Sequence, residues 1–331
     1  MRAVGIKAFG GADALEVMTM AEPGPGPGEA QVRVAFAGVN FIDVYMRSGR
    51  YARSDTYKTP LPLVLGMEGA GTVSKLGPGV GDLKIGDRVA WCISPRSYAE
   101  HVCVPAMRLV PVPADVPLDM ACALQLQGAT AHYLTQSAFP IRQGDVALVH
   151  SGAGGVGQIL VQILKGSGAT VITTVGSDEK AAIAKRLGAD HVVVYTREDF
   201  QARVMEITGG RGCNVVYDAV GKDTIAKSIR STRRRGLVVN YGGASGLVDA
   251  VSPLELAEAG SVFFTRPHLA DYMQDAAEIR GRMGDLFASF REGRLKVAID
   301  RVLLLEEARE AHRTIEGRGT RGKLLLKVTG A

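Results

Sequence analysis

The nine residues "HSGAGGVGQ", His150 to Gln158, follow directly on the apolar run Val146 to Val149 and constrain this chain more than any other stretch. Gly152, Gly154 and Gly157 stand in the spacing G-x-G-x-x-G, between a run that reads as a buried strand and a stretch, "VGQILVQILKGSG", that reads as a helix. Each glycine answers a different need of such a turn. The first permits the tight reversal, the second lets backbone N–H groups approach a pyrophosphate, and the third lets the helix pack closely on the strand. Gly155 and Val156 complete the loop and count as cofactor-binding with it.

The rest of that half has the rhythm of βαβ units. Strands are expected at 146–150, 170–175, 191–195, 214–219, 236–241 and 261–265, with helices such as "DEKAAIAKRLGA" between them, which is enough for a complete doubly wound parallel sheet. "STRRRG", with Arg233, Arg234 and Arg235, reads as the basic end of a helix. Up to about Pro113 the pattern is different. Short strand-like runs ("AVGIKAF", "QVRVAFAGV", "GTVSKLG", "DRVAWC") alternate with Gly and Pro clusters including "PGPGPG", the pattern of an antiparallel barrel or sandwich. Beyond Arg266 come two amphipathic stretches and the strand-like "KLLLKV", a tail expected to return to the first module. The expected domains are therefore 1–122 together with 267–331, and 123–266.

With 46% hydrophobic and 22% charged residues over 331 positions, the chain has the composition of a folded globular protein. Its formal charge of +5 is spread among interleaved acids and bases, and its aromatics (6%) are scattered, so no face is marked for nucleic acid. The four cysteines form no C-x-x-C pair, which argues against a structural zinc lobe and a disulfide framework and fits a reducing compartment. The N-terminal "MRAVGIKAF" lacks the apolar length of a signal peptide or membrane span, and a cytoplasmic protein is expected.

Which dinucleotide is bound depends on the end of the second strand, where an acid usually holds the ribose of NAD. Here the sequence is "TTVGSDEK": Gly176 and Ser177 occupy the turn, Lys180 opens the next helix, and Tyr195 closes the third strand nearby. A cation and hydroxyls favour the 2′-phosphate of NADPH. The competing reading has Asp178 on the ribose and Lys180 merely solvated.

Together, "AGVNFIDVYMRSGRY", "LPLVLGMEGAGTVSKLGPGV", "SGAGGVGQ", "VVYDAVGKDT" and "FFTRP" resemble the medium-chain dehydrogenase/reductase superfamily over essentially the whole length, and within it the zinc-free NADPH:quinone oxidoreductases, the ζ-crystallin-like group. The resemblance implies a GroES-like β-barrel domain joined to a Rossmann domain. Where zinc-dependent members carry their Cys, His and Cys ligands, this chain has Asn40, Met67 and Leu126, none of them a suitable zinc ligand. The resemblance also implies that Asn40, Asp43, Tyr45 and Tyr51 surround the nicotinamide and acceptor in a cleft between the modules. Thr130, Tyr241 and the tail residue Arg318 would lie near the cofactor.

A quinone carries its own activation, so the protein mainly has to position two rings, and a tyrosine hydroxyl or the Asn40 amide would hydrogen-bond the reduced carbonyl. The expected activity is NADPH-dependent quinone reduction without a metal. The alternatives are reduction of α,β-unsaturated carbonyls (enones, alkenals) and a non-enzymatic NADPH-binding or RNA-binding role. A homodimer joined through the edge strand near "SVFFT" is also implied.

Overall fold

A computed structural model describes residues 1–317 and 319–328. They form two compact units: Met1–Ala129 with Met273–Gly293 and the residues from Val297 onward, and Thr130–Tyr272 with Arg294–Lys296.

In the first unit, apolar residues alternate along the strand Glu29–Val39 and its neighbours, and the alternation closes them around a core that includes Val32, Val34, Ala37, Val73 and Trp91. Seven strands take part. Ile299–Leu304, Lys323–Lys327, Glu29–Val39, Glu68–Leu76, Arg88–Cys92 and Val110–Pro111 lie in that order, and His101–Pro105 pairs with Glu29–Val39 off this path. All the pairings are antiparallel except that of Ile299–Leu304 with Lys323–Lys327. A smaller sheet has Arg2–Ile6 between Glu16–Thr19 and Leu63–Val64. The expected strand "KLLLKV" sets Leu324 opposite Val39, which brings Lys323 beside the end of the long strand. Chain then turns at Asn40 into the helix α1 (Phe41–Arg47). At seven residues α1 is too short to stand on helix propensity, and its stability comes from the burial of Val44, Tyr45, Met46 and Arg47 and from its cap.

The second unit is the parallel sheet read from the sequence. Its order, His191–Val194, Thr170–Val175, Val146–His150, Cys213–Asp218, Thr232–Asn240 and Phe263–Thr265, is that of a doubly wound dinucleotide fold. Leu148, Ile172, Val193, Val216 and Val238, one from each of five strands, form a buried stripe.

One local expectation fails. "STRRRG" is not the end of a helix: the preceding helix stops at Arg230, and Arg233–Arg235 belong to the strand Thr232–Asn240. The three arginines contribute only their backbones to the sheet, through a bulge at which Arg235 takes φ 54° and the register with Cys213–Asp218 shifts. The charges then point outward, which is why they read as a helix terminus.

Candidate active site

In the second unit the strand Val146–His150 runs into Ser151, which adopts φ 59°, and the chain enters the helix Gly155–Gly166 with Gly154 as its N-cap. Gly154 has no side chain to satisfy the first N–H groups, so the helix start is left open to an anion. The three glycines have separable roles. A Cβ on Gly152 would overlap the Thr173 hydroxyl of the neighbouring strand, and one on Gly157 would overlap the Ser151 carbonyl, so both are close-approach positions. A Cβ on Gly154 would meet only Ser151, its oxygen at 3.2 Å, and otherwise face open space.

Behind the loop lies a buried polar chain that the sequence did not announce. Ser228 donates its O–H to Asp218 Oδ2 (2.7 Å), so its oxygen accepts from His150 Nε2 (3.0 Å), and His150 Nδ1 is left to accept from the Thr174 hydroxyl (2.9 Å). Asp218 also accepts from the Val220 and Gly221 amides and from Thr224, which shapes the turn into the helix Ile225–Arg230. Burial holds the His150 imidazole below its usual pKa, favouring the neutral ring that this direction of donation requires.

At the second strand's tip, Gly176 lies beneath the Tyr195 hydroxyl, which would sit 2.9 Å from a Cβ there. Ser177 caps the next helix by accepting from the Lys180 amide (3.3 Å), and Tyr195 is 45% exposed. Asp178 is bound by both terminal nitrogens of Arg197, which keeps its carboxyl below the usual range. Thr130 is buried, and Arg318 lies outside the described residues.

In the first unit the structure draws Asn40 and Asp43 into two buried networks. Asp43 closes a capping box on α1: its Oδ2 accepts from the backbone N–H of Asn40 (2.8 Å) and from the Tyr98 hydroxyl (3.4 Å), while Oδ1 has no partner. With one oxygen unpaired in a site of no exposure, burial pushes the carboxyl up to about 7. Asp43 is therefore the cap of the helix that carries Tyr45, not a group displayed to a ligand. Asn40 is held at both ends of its amide. Its Oδ1 accepts from Lys323 Nζ (2.7 Å) and its Nδ2 donates to Glu68 Oε2 (2.8 Å), with a longer approach to the Gly38 carbonyl (3.4 Å). Lys323 also pairs directly with Glu68, whose other oxygen accepts from the Leu126 amide (2.6 Å).

Tyr45 and Tyr51 do come together, edge to face at 5.6 Å, and Tyr51 stacks on Tyr57 at 5.2 Å. Arg50 lies 5.5 Å from the Tyr45 ring. Tyr57, Glu68, Tyr98, His312 and Lys323 are the residues sequence reading missed. The one available signal was a charge set within an apolar strand run, at Glu68 in "LGMEGAGTV" and at Lys323 in "KLLLKV".

A GroES-like β unit and a six-stranded parallel unit with an open glycine-turn helix define a medium-chain dehydrogenase/reductase. Comparison agrees. Residues 155–277 match the family model "Zinc-binding dehydrogenase" and residues 26–114 the "Alcohol dehydrogenase GroES-like domain". A probable quinone oxidoreductase of Schizosaccharomyces pombe is 38% identical over 324 residues, 98% of this chain and 96% of that protein. A 2-haloacrylate reductase of Burkholderia sp is 40% identical over 305 residues, 89% of this chain and 90% of the relative. The Escherichia coli quinone oxidoreductase complexed with NADPH superposes with a TM-score of 0.95 at 37% identity, covering 99% of this chain and all of that one. The chain belongs to the quinone oxidoreductase family.

The first family model's description implies zinc, and the residues present do not suit it. An amide already bonded to an ammonium, a thioether and a leucine stand at the ligand positions, and no group of three or more His, Cys, Asp or Glu among the described residues is placed to hold a metal.

Proposed function

We propose that this chain is an NADPH-dependent reductase of quinones that works without a metal. The observation that carries the cofactor choice is the second strand's tip. The Tyr195 hydroxyl stands over Gly176, Ser177 accepts the backbone N–H of Lys180 at the start of the next helix, and Asp178, the carboxylate nearest the turn, is already held by Arg197. That environment suits a 2′-phosphate better than a bare ribose. Gly152, Gly154, Gly155, Val156 and Gly157 would hold the pyrophosphate, with Thr130, Tyr241 and Arg318 as further cofactor contacts.

Bound NADPH supplies the hydride; the chain's task is to hold the acceptor and receive the charge that develops on its oxygen. Tyr51, partly exposed and backed by the buried rings of Tyr45 and Tyr57, offers an aromatic face that matches a planar ring. Asn40, Asp43, Tyr45 and Tyr51 remain the acceptor-side residues of this reading, with Asp43 acting through its cap. The hydrogen bond to the reduced carbonyl would come from a tyrosine hydroxyl or from the Asn40 amide hydrogen that is not on Glu68.

A second acceptor class has one observation in its favour, the 2-haloacrylate reductase among the relatives, since a 2-haloacrylate is an activated alkene. NADPH oxidation followed against a panel of quinones, enones and aldehydes separates the readings. Preference for enones over every quinone would transfer the activity to the second class, and NADPH binding without turnover of any acceptor would leave a binding protein. A homodimer through the edge strand is part of the proposal, supported by Phe263 (63% exposed) on that strand. So is a cytoplasmic setting, supported by four free cysteines and by the lack, among the described residues, of a helix long and apolar enough to cross a membrane.

A further inference from the structure

Lys323 and Glu68 are both fully buried, and they bond each other inside the first unit. Removing two charges from water costs several kcal/mol per ion, and a packed apolar pair of the same volume is commonly as stable or more so. Stability therefore gives no reason for this pair. Its surroundings do. Asn40 bonds both members and the Leu126 backbone amide bonds Glu68, so two of the three positions that hold zinc in the zinc-dependent members bond one ammonium–carboxylate pair, and the third, Met67, is the sequence neighbour of Glu68. Gly38 keeps the space open, because a Cβ there would overlap Glu68 Oε2.

We propose that Lys323 and Glu68 are positioning residues for acceptor reduction: the buried pair grips the Asn40 amide at its oxygen and its nitrogen and fixes the start of α1, supplying the anchoring that a metal supplies elsewhere. The grip is directional. The ammonium has no acceptor capacity and the carboxylate no donor, so Asn40 cannot flip its amide without losing both bonds. The flip-locked amide has one hydrogen on Glu68 and a second with only the 3.4 Å approach to Gly38, which leaves that hydrogen the least committed donor at the head of α1. Lys323 lies on the tail strand and Glu68 on a central strand, so two distant parts of the sequence set one side chain. This inference rests on the reading that Asn40 and α1 serve the acceptor.

Three variants test it: Asn40→Ala, the neutralised pair Lys323→Met/Glu68→Gln, and Lys323→Arg, each measured for NADPH Kd, for kcat and KM with one quinone, and for near-UV circular dichroism. Asn40→Ala and the neutralised pair are expected to lower kcat by the same factor, about 10- to 100-fold, with NADPH Kd within about 2-fold of the parent, because a displaced contact acts on the reacting geometry rather than on cofactor binding. Adding Asn40→Ala to the neutralised pair should cost less than about 2-fold more, since the three side chains act as one unit. Lys323→Arg keeps the charge but changes the fork, and kcat should fall in between, by about 3- to 10-fold. A neutralised pair with kcat within about 2-fold of the parent, while Asn40→Ala is impaired, overturns the positioning role and leaves the acceptor-side reading standing. An unimpaired Asn40→Ala overturns both. Should the neutralised pair fail to fold, Lys323→Arg decides, and an unchanged kcat there overturns the inference.

Discussion

Arg47 places Nη1 3.1 Å from Nδ1 of His312, and both side chains are buried. A guanidinium only donates, so Nδ1 must accept and the imidazole proton sits on Nε2, where it meets the Tyr98 oxygen at 3.2 Å. Tyr98 in turn donates to Asp43. The result is a one-way chain from Arg47, itself anchored by Glu316 at 2.8 Å, to the cap of α1. It works only with a neutral His312.

Opposed pH dependences of stability follow from that chain. Burial and Arg47 push His312 down to about 3, so the fold excludes its proton and loses stability as pH falls from the unfolded value near 6.5. Burial pushes Asp43 up to about 7, so the fold retains its proton and loses stability as pH rises from about 4 to about 7. Between about pH 4 and 6.5 the two slopes oppose and the parent's Tm should be nearly level. His312→Gln removes one slope: Tm is expected to rise on acidification from pH 7 to 5. Asp43→Asn removes the other, and Tm should fall from pH 6.5 to 4. Identical profiles for parent and both variants would show that neither group titrates as its setting requires.

Zinc content follows from the donor set. Purified protein is expected to contain no stoichiometric zinc and to keep its activity in chelator, because Asn40 is bonded to Lys323 and Met67 and Leu126 offer no anionic donor. One zinc per chain by elemental analysis, lost together with turnover, would contradict it.

Cofactor preference is read at Lys180. A charge-assisted contact to phosphate contributes about 1.5 to 3 kcal/mol, so Lys180→Ala should weaken NADPH binding by roughly 10- to 100-fold and leave NADH almost unchanged. Equal loss of both cofactors would make Lys180 a structural residue of the helix Asp178–Arg186.

Tyr45 tests the acceptor side. Tyr45→Phe keeps the ring contact with Tyr51 and removes only the hydroxyl. With a quinone carrying most of its own activation, kcat/KM should drop about 3- to 30-fold, a lost hydrogen bond of roughly 0.6 to 2 kcal/mol, with NADPH affinity intact. Complete loss of turnover would mean that a protein proton donor is obligatory.

What the sequence made legible was local and periodic. The glycine spacing after an apolar run located the turn, and βα alternation gave all six parallel strands to within a few residues. The polar networks were not legible, because Asp43, Tyr98 and His312, or Asn40, Glu68 and Lys323, are separated by up to 283 residues and meet only in the folded chain, the first set through the packing of α1 and the helix Ala308–Glu316 and the second through strand register. His312 was discounted because it lies at no metal-ligand spacing; its partners are a guanidinium and a phenol. The arginines of "STRRRG" misled for a related reason: charge predicts exposure, and an outward-facing bulge exposes side chains as well as a helix end does.

The glycines of the opening stretch allow the sharpest separation of fold from function. Gly157→Ala sets a methyl against the Ser151 carbonyl at the point where the helix Gly155–Gly166 crosses the turn, with Gly152 Cα only 2.9 Å away. Backbone is on the receiving side, so relief requires the helix to move, and overpacking of this kind costs about 1 to 3 kcal/mol. Gly154→Ala meets only the Ser151 oxygen at 3.2 Å and needs a shift of a few tenths of an ångström. Only Ser151 lies within 4 Å of its methyl, and the helix start at which it sits has no side-chain cap. Gly157→Ala is therefore expected to lower Tm by several degrees and to lose NADPH binding with it. Gly154→Ala should melt within about 2 °C of the parent yet bind NADPH at least about 10-fold more weakly, because the methyl obstructs an anion without disturbing the packing. Thermal melts and NADPH titration of the two variants decide the matter: equal melting losses would make both glycines structural, and unimpaired NADPH binding by Gly154→Ala would remove the turn from the cofactor site.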